Sequence, residues 1–131
     1  MILVDSSVWI DYFNGAKTAE TDLFDSILGK ELIIMGDLIL VEVLQGFQSE
    51  KDFELAKNEL LSFPFMDICS KELAIESALN YRRLRANGVT VRKTIDVLIG
   101  TFCIHHQISL LHSDRDFEPM KRFLKLKTIS T

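Results

Sequence analysis

Apolar and polar positions change rhythm along this chain at short, regular intervals. Ile2–Val4 is a brief apolar run ending at Asp5, and it reads as a buried strand. Ser6–Phe13 follows as a helix closed by Asn14-Gly15. Thr18 can cap the next helix, which has Glu20 and Asp22 in its first turns and Leu23, Phe24, Ile27 and Leu28 as its core face. Leu32–Met35 is a second strand. Ser49 and Asp52 open a helix whose Phe53, Ala56 and Leu60 share a face, and Phe65–Ile68 is a third strand. Ser70 caps a long helix with Ala74, Ala78 and Tyr81 on one side, running to Asn87-Gly88. Ile95, Leu98, Ile99, Phe102 and His106 then repeat with helical spacing. Ile108–Leu111 is a fourth strand, Phe117–Leu124 is helical, and Leu126–Ile129 is an edge strand. Strands alternating with helices predict an α/β fold with a parallel sheet covered on both faces.

One stretch reads two ways. Leu32–Val41 has the Ile and Val content of a hairpin with Gly36-Asp37 as its turn. Residues 38–44, however, do not alternate polar and apolar, so the expectation is a strand followed by a helix capped by Asp37, with Glu42 on that helix near Asp5.

Composition narrows the classes. The chain has 131 residues, 47% of them hydrophobic and 26% charged, which suits one domain and excludes disorder. No apolar stretch approaches the ~18 residues of a membrane span. The opening Met1-Ile2-Leu3-Val4-Asp5 lacks the basic start of a signal peptide. Cys69 and Cys103 are far apart, which fits a reducing, cytoplasmic setting. The net charge of −4 argues at first sight against a nucleic-acid partner. The charges are unevenly spread, though. Residues 1–60 hold 12 acids and 4 bases, whereas residues 61–131 hold 7 acids and 11 bases. Ser77–Ile95 has no acid but carries Arg82, Arg83, Arg85, Arg92 and Lys93, and Lys121, Arg122, Lys125 and Lys127 form a second basic group. On charge alone these are solvated helix faces and helix C-termini rather than a phosphate-binding rim.

The carboxylates are more informative. In a doubly wound sheet, functional groups gather beyond the C-terminal ends of the strands. Asp5 ends the first strand and Asp114 follows the fourth, with Asp116 two residues on. Asp96 lies in the first turn of its helix, and Glu42 is an isolated charge among aliphatic residues. Each has an ordinary explanation as a helix cap, turn residue or solvent-facing group. Together they would repel by about 4 kcal/mol per close pair at an effective dielectric near 20, which calls for a counter-charge. The donors are all hard oxygens, so the matching ion is Mg²⁺ or Mn²⁺ rather than Zn²⁺. Phosphodiester hydrolysis is the chemistry such a site performs.

These residues also resemble a family. Met1-Ile2-Leu3-Val4-Asp5-Ser6-Ser7 resembles the opening of PIN-domain nucleases, a strand ending in Asp-x-Ser/Thr. Val41-Glu42-Val43-Leu44-Gln45-Gly46 is similar to their internal acidic helix, Thr94-Ile95-Asp96-Val97-Leu98-Ile99-Gly100 to the third acidic motif, and His112-Ser113-Asp114-Arg115-Asp116-Phe117 to the closing one. The length looks most like the VapC toxins of toxin–antitoxin pairs. The resemblance implies a three-layer α/β/α fold with a central, mostly parallel sheet, formed by residues 1–131 as a single nuclease domain. It implies an endoribonuclease dependent on Mg²⁺, or on Mn²⁺ as a substitute, acting on RNA, homodimeric and inhibited by a small VapB-like antitoxin. It assigns Asp5, Glu42, Asp96 and Asp114 as the acidic pocket and metal ligands, with Asp116 a further acid that varies in the family. Ser7, Ser113 and Thr94 would orient carboxylates. Gly100 would allow close approach one turn after Asp96. Apart from the resemblance, the basic run offers Arg82, Arg85, Arg92 and Lys93 as substrate contacts, provided they flank the pocket.

Rival readings fit less well. Cys103, His105, His106 and His112 lack zinc-ligand spacing, and neither cysteine has a placed base for nucleophilic catalysis. A signalling receiver with Asp5 as phosphoacceptor would need paired acids at the first strand and a Lys after the last parallel strand. A haloacid-dehalogenase phosphatase would need an acid where Ser7 stands, and an RNase H-like nuclease would open with long antiparallel strands.

Overall fold

The computed structural model describes residues 1–129. Strands β1 (Ile2–Val4), β2 (Ile33–Gly36), β3 (Phe65–Met66) and β4 (Ser109–Leu111) form one parallel sheet in the order β3-β2-β1-β4. Seven helices surround it: α1 (Ser6–Phe13), α2 (Ala19–Ile27), α3 (Asp37–Leu44), α4 (Glu50–Leu60), α5 (Lys71–Ala86), α6 (Thr94–His106) and α7 (Glu118–Leu124). A 3₁₀ turn, Arg115–Phe117, precedes α7.

The layering follows from the connections. The steps β1 to β2 and β2 to β3 go one way across the sheet, and β3 to β4 goes back. Right-handed crossovers therefore put α1–α4 on one face and α5–α6 on the other. The packing agrees, since α1 meets α2 and α3 while α5 meets α6 and α7. Strand β1 is central: Ile2 pairs with both Ile33 and Ser109, and Leu3 with Ile34 and Leu110. The chain reverses its direction of winding between β1 and β4, so the crevice beyond their C-terminal ends is the topological switch point. A receiver domain, with β1 between β2 and β3, has a different strand order.

Segment 37–44 is a helix, so the hairpin reading is excluded. Asp37 is not its N-cap. Gly36 holds that position without a side-chain cap, and Asp37 Oδ1 instead accepts from the amides of Leu38 (2.9 Å) and Ile68 (2.7 Å). That bond takes Ile68 out of the sheet, so β3 stops at Met66 rather than Ile68. A side chain at Gly36 would collide with Ile68, and glycine lets α3 start directly from β2. The edge strand shrinks to one parallel bridge between Leu110 and Thr128. The buried stripe of α5 is Leu73, Ser77 and Leu84, while Ala74 and Ala78 are exposed. Asn80, between buried Ser77 and Leu84, donates to Thr101 of α6 (3.0 Å), which fixes the rotation of α5. Helix α6 is not buried along the expected face: Ile99 and Phe102 are enclosed, but Ile95 and Leu98 are half-buried and His106 is exposed, while Val97, Gly100 and Cys103 outside that face are enclosed. Gly100 faces Met120 of α7, where any side chain would collide with the Met120 sulfur.

Helix α1 is anchored by fully buried Trp9. Its ring stacks on Phe13 (5.8 Å) and meets Phe24 (4.7 Å) and Phe63 (5.4 Å) edge-on. This aromatic cluster immobilises the helix whose first turn carries Ser6 and Ser7.

Candidate active site

Asp5 leaves the central strand and caps α1. Its Oδ2 accepts from the Ser7 amide (3.1 Å) and the Ser7 hydroxyl (2.6 Å). The Ser7 oxygen in turn accepts from the Ser113 amide (3.2 Å), joining the ends of β1 and β4. Helix α3 brings Glu42 to the same rim, where the Ser6 hydroxyl donates to Glu42 Oε1 (3.1 Å). Asp96 is in the first turn of α6. Asp114 caps the 3₁₀ turn through its Oδ1, which accepts from the Asp116 amide (2.9 Å). Carboxylate oxygens of Asp96, Asp114 and Asp116 lie within 4.8 Å of one another. Among the described residues the cation paired with them is Lys93, whose Nζ is 3.4 Å from Asp114 Oδ2 and 3.9 Å from Asp96 Oδ2.

Asp5 and Asp96 are only 3% and 4% exposed, an unusual burial for carboxylates. Desolvation pushes the Asp5 carboxyl above its ordinary range despite the Ser7 hydrogen bonds. Asp96 is pushed up to about 7, chiefly by burial. Lys93 opposes the rise, and the charges of Asp5, Asp114 and Glu42 add to it. Glu42 is also raised, by burial and then by Asp5. Asp96 holds the Lys93 ammonium above its usual value. Asp5, Glu42, Asp96 and Asp114 therefore sense one another's charge, while the close group of oxygens is that of Asp96, Asp114 and Asp116.

Asp5 Oδ1 and Asp96 Oδ2 are buried without a hydrogen-bond partner. Orphaned anionic oxygens are costly unless a cation serves them. An all-oxygen set with two such atoms fits a hard divalent cation. It does not fit zinc held by sulfur and nitrogen. Cys103 is buried in α6 with its thiol pushed up by desolvation, and His105 pairs with Glu76 (3.1 Å) on α5.

The other expected residues divide. Arg92 and Lys93 line a cavity of about 580 Å³ at the mouth of the acidic site, together with Ser7, Ser113, Asp114, Arg115 and Asp116. Arg82 and Arg85 line a separate apolar groove between α5 and α6. Thr94 faces that groove as well. It does not cap α6, because Lys93 is the N-cap residue, and among the described residues it makes no hydrogen bond to a carboxylate. Ser113 acts through its backbone amide rather than its hydroxyl. Two participants escaped the sequence. Ser6 holds Glu42, a contact between residues 36 positions apart that no local motif reveals. Arg115 lines the mouth, and its one available signal was its place between Asp114 and Asp116.

Comparison with known proteins bears on the family and the fold. The model of the PIN domain family matches residues 2–122. The chain belongs to the PIN domain family. PIN domain relatives include Ribonuclease VapC11 of Mycobacterium tuberculosis, 28% identical over 132 residues that cover 99% of this chain and 98% of that protein. The PIN fold recurs in the structure of VapBC2 from Rickettsia felis bound to a DNA fragment from their promoter, with a TM-score of 0.78, 16% identity and 98% coverage of each chain. A toxin–antitoxin complex from Klebsiella pneumoniae shares it too, at a TM-score of 0.73 and 17% identity, covering 99% of this chain and 97% of that one. The three-layer α/β/α architecture is thus that of the PIN domain.

Proposed function

We propose that this protein is a divalent-metal-dependent endoribonuclease, the toxin of a toxin–antitoxin pair, with residues 1–131 acting as one nuclease domain. The observation that carries the reading is the pair of buried, unpartnered oxygens on Asp5 and Asp96 at the switch point of a PIN fold. Asp5, Glu42, Asp96 and Asp114 are the residues that would hold Mg²⁺, or Mn²⁺ in its place, and Asp116, close to Asp96 and Asp114, is a further candidate. Such an ion, when bound, supplies an activated water and stabilises charge developing at phosphorus. The protein's own contribution is positioning. Ser7 fixes the rotamer of Asp5, Ser6 restrains Glu42, and the Ser113 amide holds Ser7 in place. Arg92, Lys93 and Arg115 place positive charge around the mouth, where it can meet the phosphates of a single strand. Arg82 and Arg85 stand apart from this mouth, so their contact with RNA requires a path along α5.

The test is RNA cleavage by the purified protein with Mg²⁺ or Mn²⁺, with EDTA, and with Asp96→Asn. Cleavage that requires the ion and Asp96 is expected. Cleavage indifferent to both, or no cleavage of any RNA, would overturn the reading. A cytoplasmic location is part of this proposal; separately, no described helix is long and apolar enough to cross a membrane. Complexes named for a toxin and its antitoxin share this fold, which supports a small VapB-like antitoxin as partner. Exposed Ile75 and Leu79, about one turn apart on α5, support a homodimer, which light scattering after gel filtration would test.

A further inference from the structure

We infer that Lys93 is a tethered counter-cation of the acidic site, and that its ammonium group and a divalent ion are alternative partners for the carboxylates of Asp96 and Asp114. This rests on the metal-binding reading above. The ammonium lies 3.4 Å from Asp114 Oδ2 and 3.9 Å from Asp96 Oδ2. Asp96 and Asp114 are also two of the three residues whose oxygens come within 4.8 Å of one another. Any divalent ion shared by these acids would repel an ammonium group held in the same place. The buried Asp96 Oδ2 gains charge compensation from Lys93 but no hydrogen bond. The tether is thus a good screen and an incomplete ligand.

Lys93 is also free to leave. Its side chain is 55% exposed, and it ends a segment, residues 89–93, that belongs to no helix or strand. It lines the mouth cavity beside Arg92 and Arg115, so it can turn outward without disturbing any packed element. Ion entry and the release of a mobile cation toward the phosphate-facing side are therefore coupled. Lys93 acts on the reaction through the carboxylates, as a positioning residue.

Mn²⁺ binding without RNA, followed by calorimetry or by the spin resonance of the free ion, tests this in the full-length protein. Lys93→Met is expected to bind Mn²⁺ roughly three- to tenfold more tightly than the unaltered protein, and Lys93→Arg about as tightly. Arg92→Met controls for general charge, and its affinity should stay within about twofold, because Arg92 makes no ion pair with these acids among the described residues. In EDTA, Lys93→Met should melt below the unaltered protein and regain more on adding Mn²⁺. Equal or weaker Mn²⁺ binding by Lys93→Met, or an equal gain in Arg92→Met, would overturn the inference while leaving the metal-binding reading intact. No Mn²⁺ binding by any of the four proteins would remove both.

Discussion

The two sides of the acidic rim are held by different means. On the side of β1 and α3, neutral hydroxyls fix the carboxylates: Ser7 holds Asp5 at 2.6 Å and Ser6 holds Glu42 at 3.1 Å. On the side of α6 and the 3₁₀ turn, a single exposed ammonium compensates Asp96 and Asp114, and none of its contacts is shorter than 3.4 Å. Hydroxyls orient charge without neutralising it, and they sit on a helix pinned by an aromatic cluster. The ammonium neutralises charge without fixing it. One side is built for geometry and the other for exchange of cations.

The sharpest way to break the comparison is to remove the buried charge on the exchangeable side. Asp96→Asn should lower RNA cleavage by roughly 100-fold or more while leaving the fold intact. The same substitution should raise the melting temperature in EDTA, by about 1–3 kcal/mol in stability, since it deletes an acid whose ionisation the fold opposes. The pH dependence has a definite sign. Asp96 titrates near 7 in the folded protein against an ordinary value of 3.8, so the fold binds its proton more tightly than the unfolded chain does. Its destabilising effect is absent below about pH 4, grows as the pH rises, and is complete above about pH 7. The stability gap between Asp96→Asn and the unaltered protein in EDTA should widen over that window and then level off in urea titrations. A gap of constant size would mean that Asp96 is not the group responsible.

The hydroxyl side predicts smaller losses. Ser7→Ala should cost about 10–100-fold in cleavage, because Asp5 loses its orienting partner and the Ser113 amide loses its acceptor. Ser6→Ala should cost about 3–10-fold, since half-buried Glu42 loses one bond and keeps its place on α3. The reverse order would show that Glu42, not Asp5, is the member whose rotamer limits the reaction. The smallest effects concern the arginines. Neutralising Arg92 or Arg115 should reduce the slope of RNA affinity against salt by about one unit each, while Arg82→Ala and Arg85→Ala leave it unchanged. Equal effects at all four positions would extend the RNA path from the mouth to the α5 groove.

The fold was largely legible in the chain, because short apolar strands and capped helices state their period locally. Asp5, Asp96 and Asp114 were readable for the same reason: each stands at a strand end or in a first helical turn, positions the alternation of elements defines. What could not be read depended on partners distant in sequence. Asp37 looked like a cap, yet Ile68 claims its carboxylate and shortens β3. Thr94 stood beside Asp96 in the motif, but the turn of α6 points it into the groove shared with Arg82 and Arg85. The five bases from Arg82 to Lys93 are continuous in sequence but divided between two surfaces, the arginines of α5 on one and Arg92 and Lys93 on the other. Ser6 and Arg115 were invisible for the complementary reason, since their roles come from tertiary neighbours and not from spacing.

The pairing of β1 with β4 has a consequence for the order of synthesis. Strand β1 is among the first residues made, but its neighbour β4 and the Ser113 amide that locks Ser7 come 106 residues later. A nascent chain still short of that point carries Asp5 but neither Asp114 nor the lock. The hydrogen bond that locks Ser7, and through it the orientation of Asp5, therefore forms only after β4 has been made.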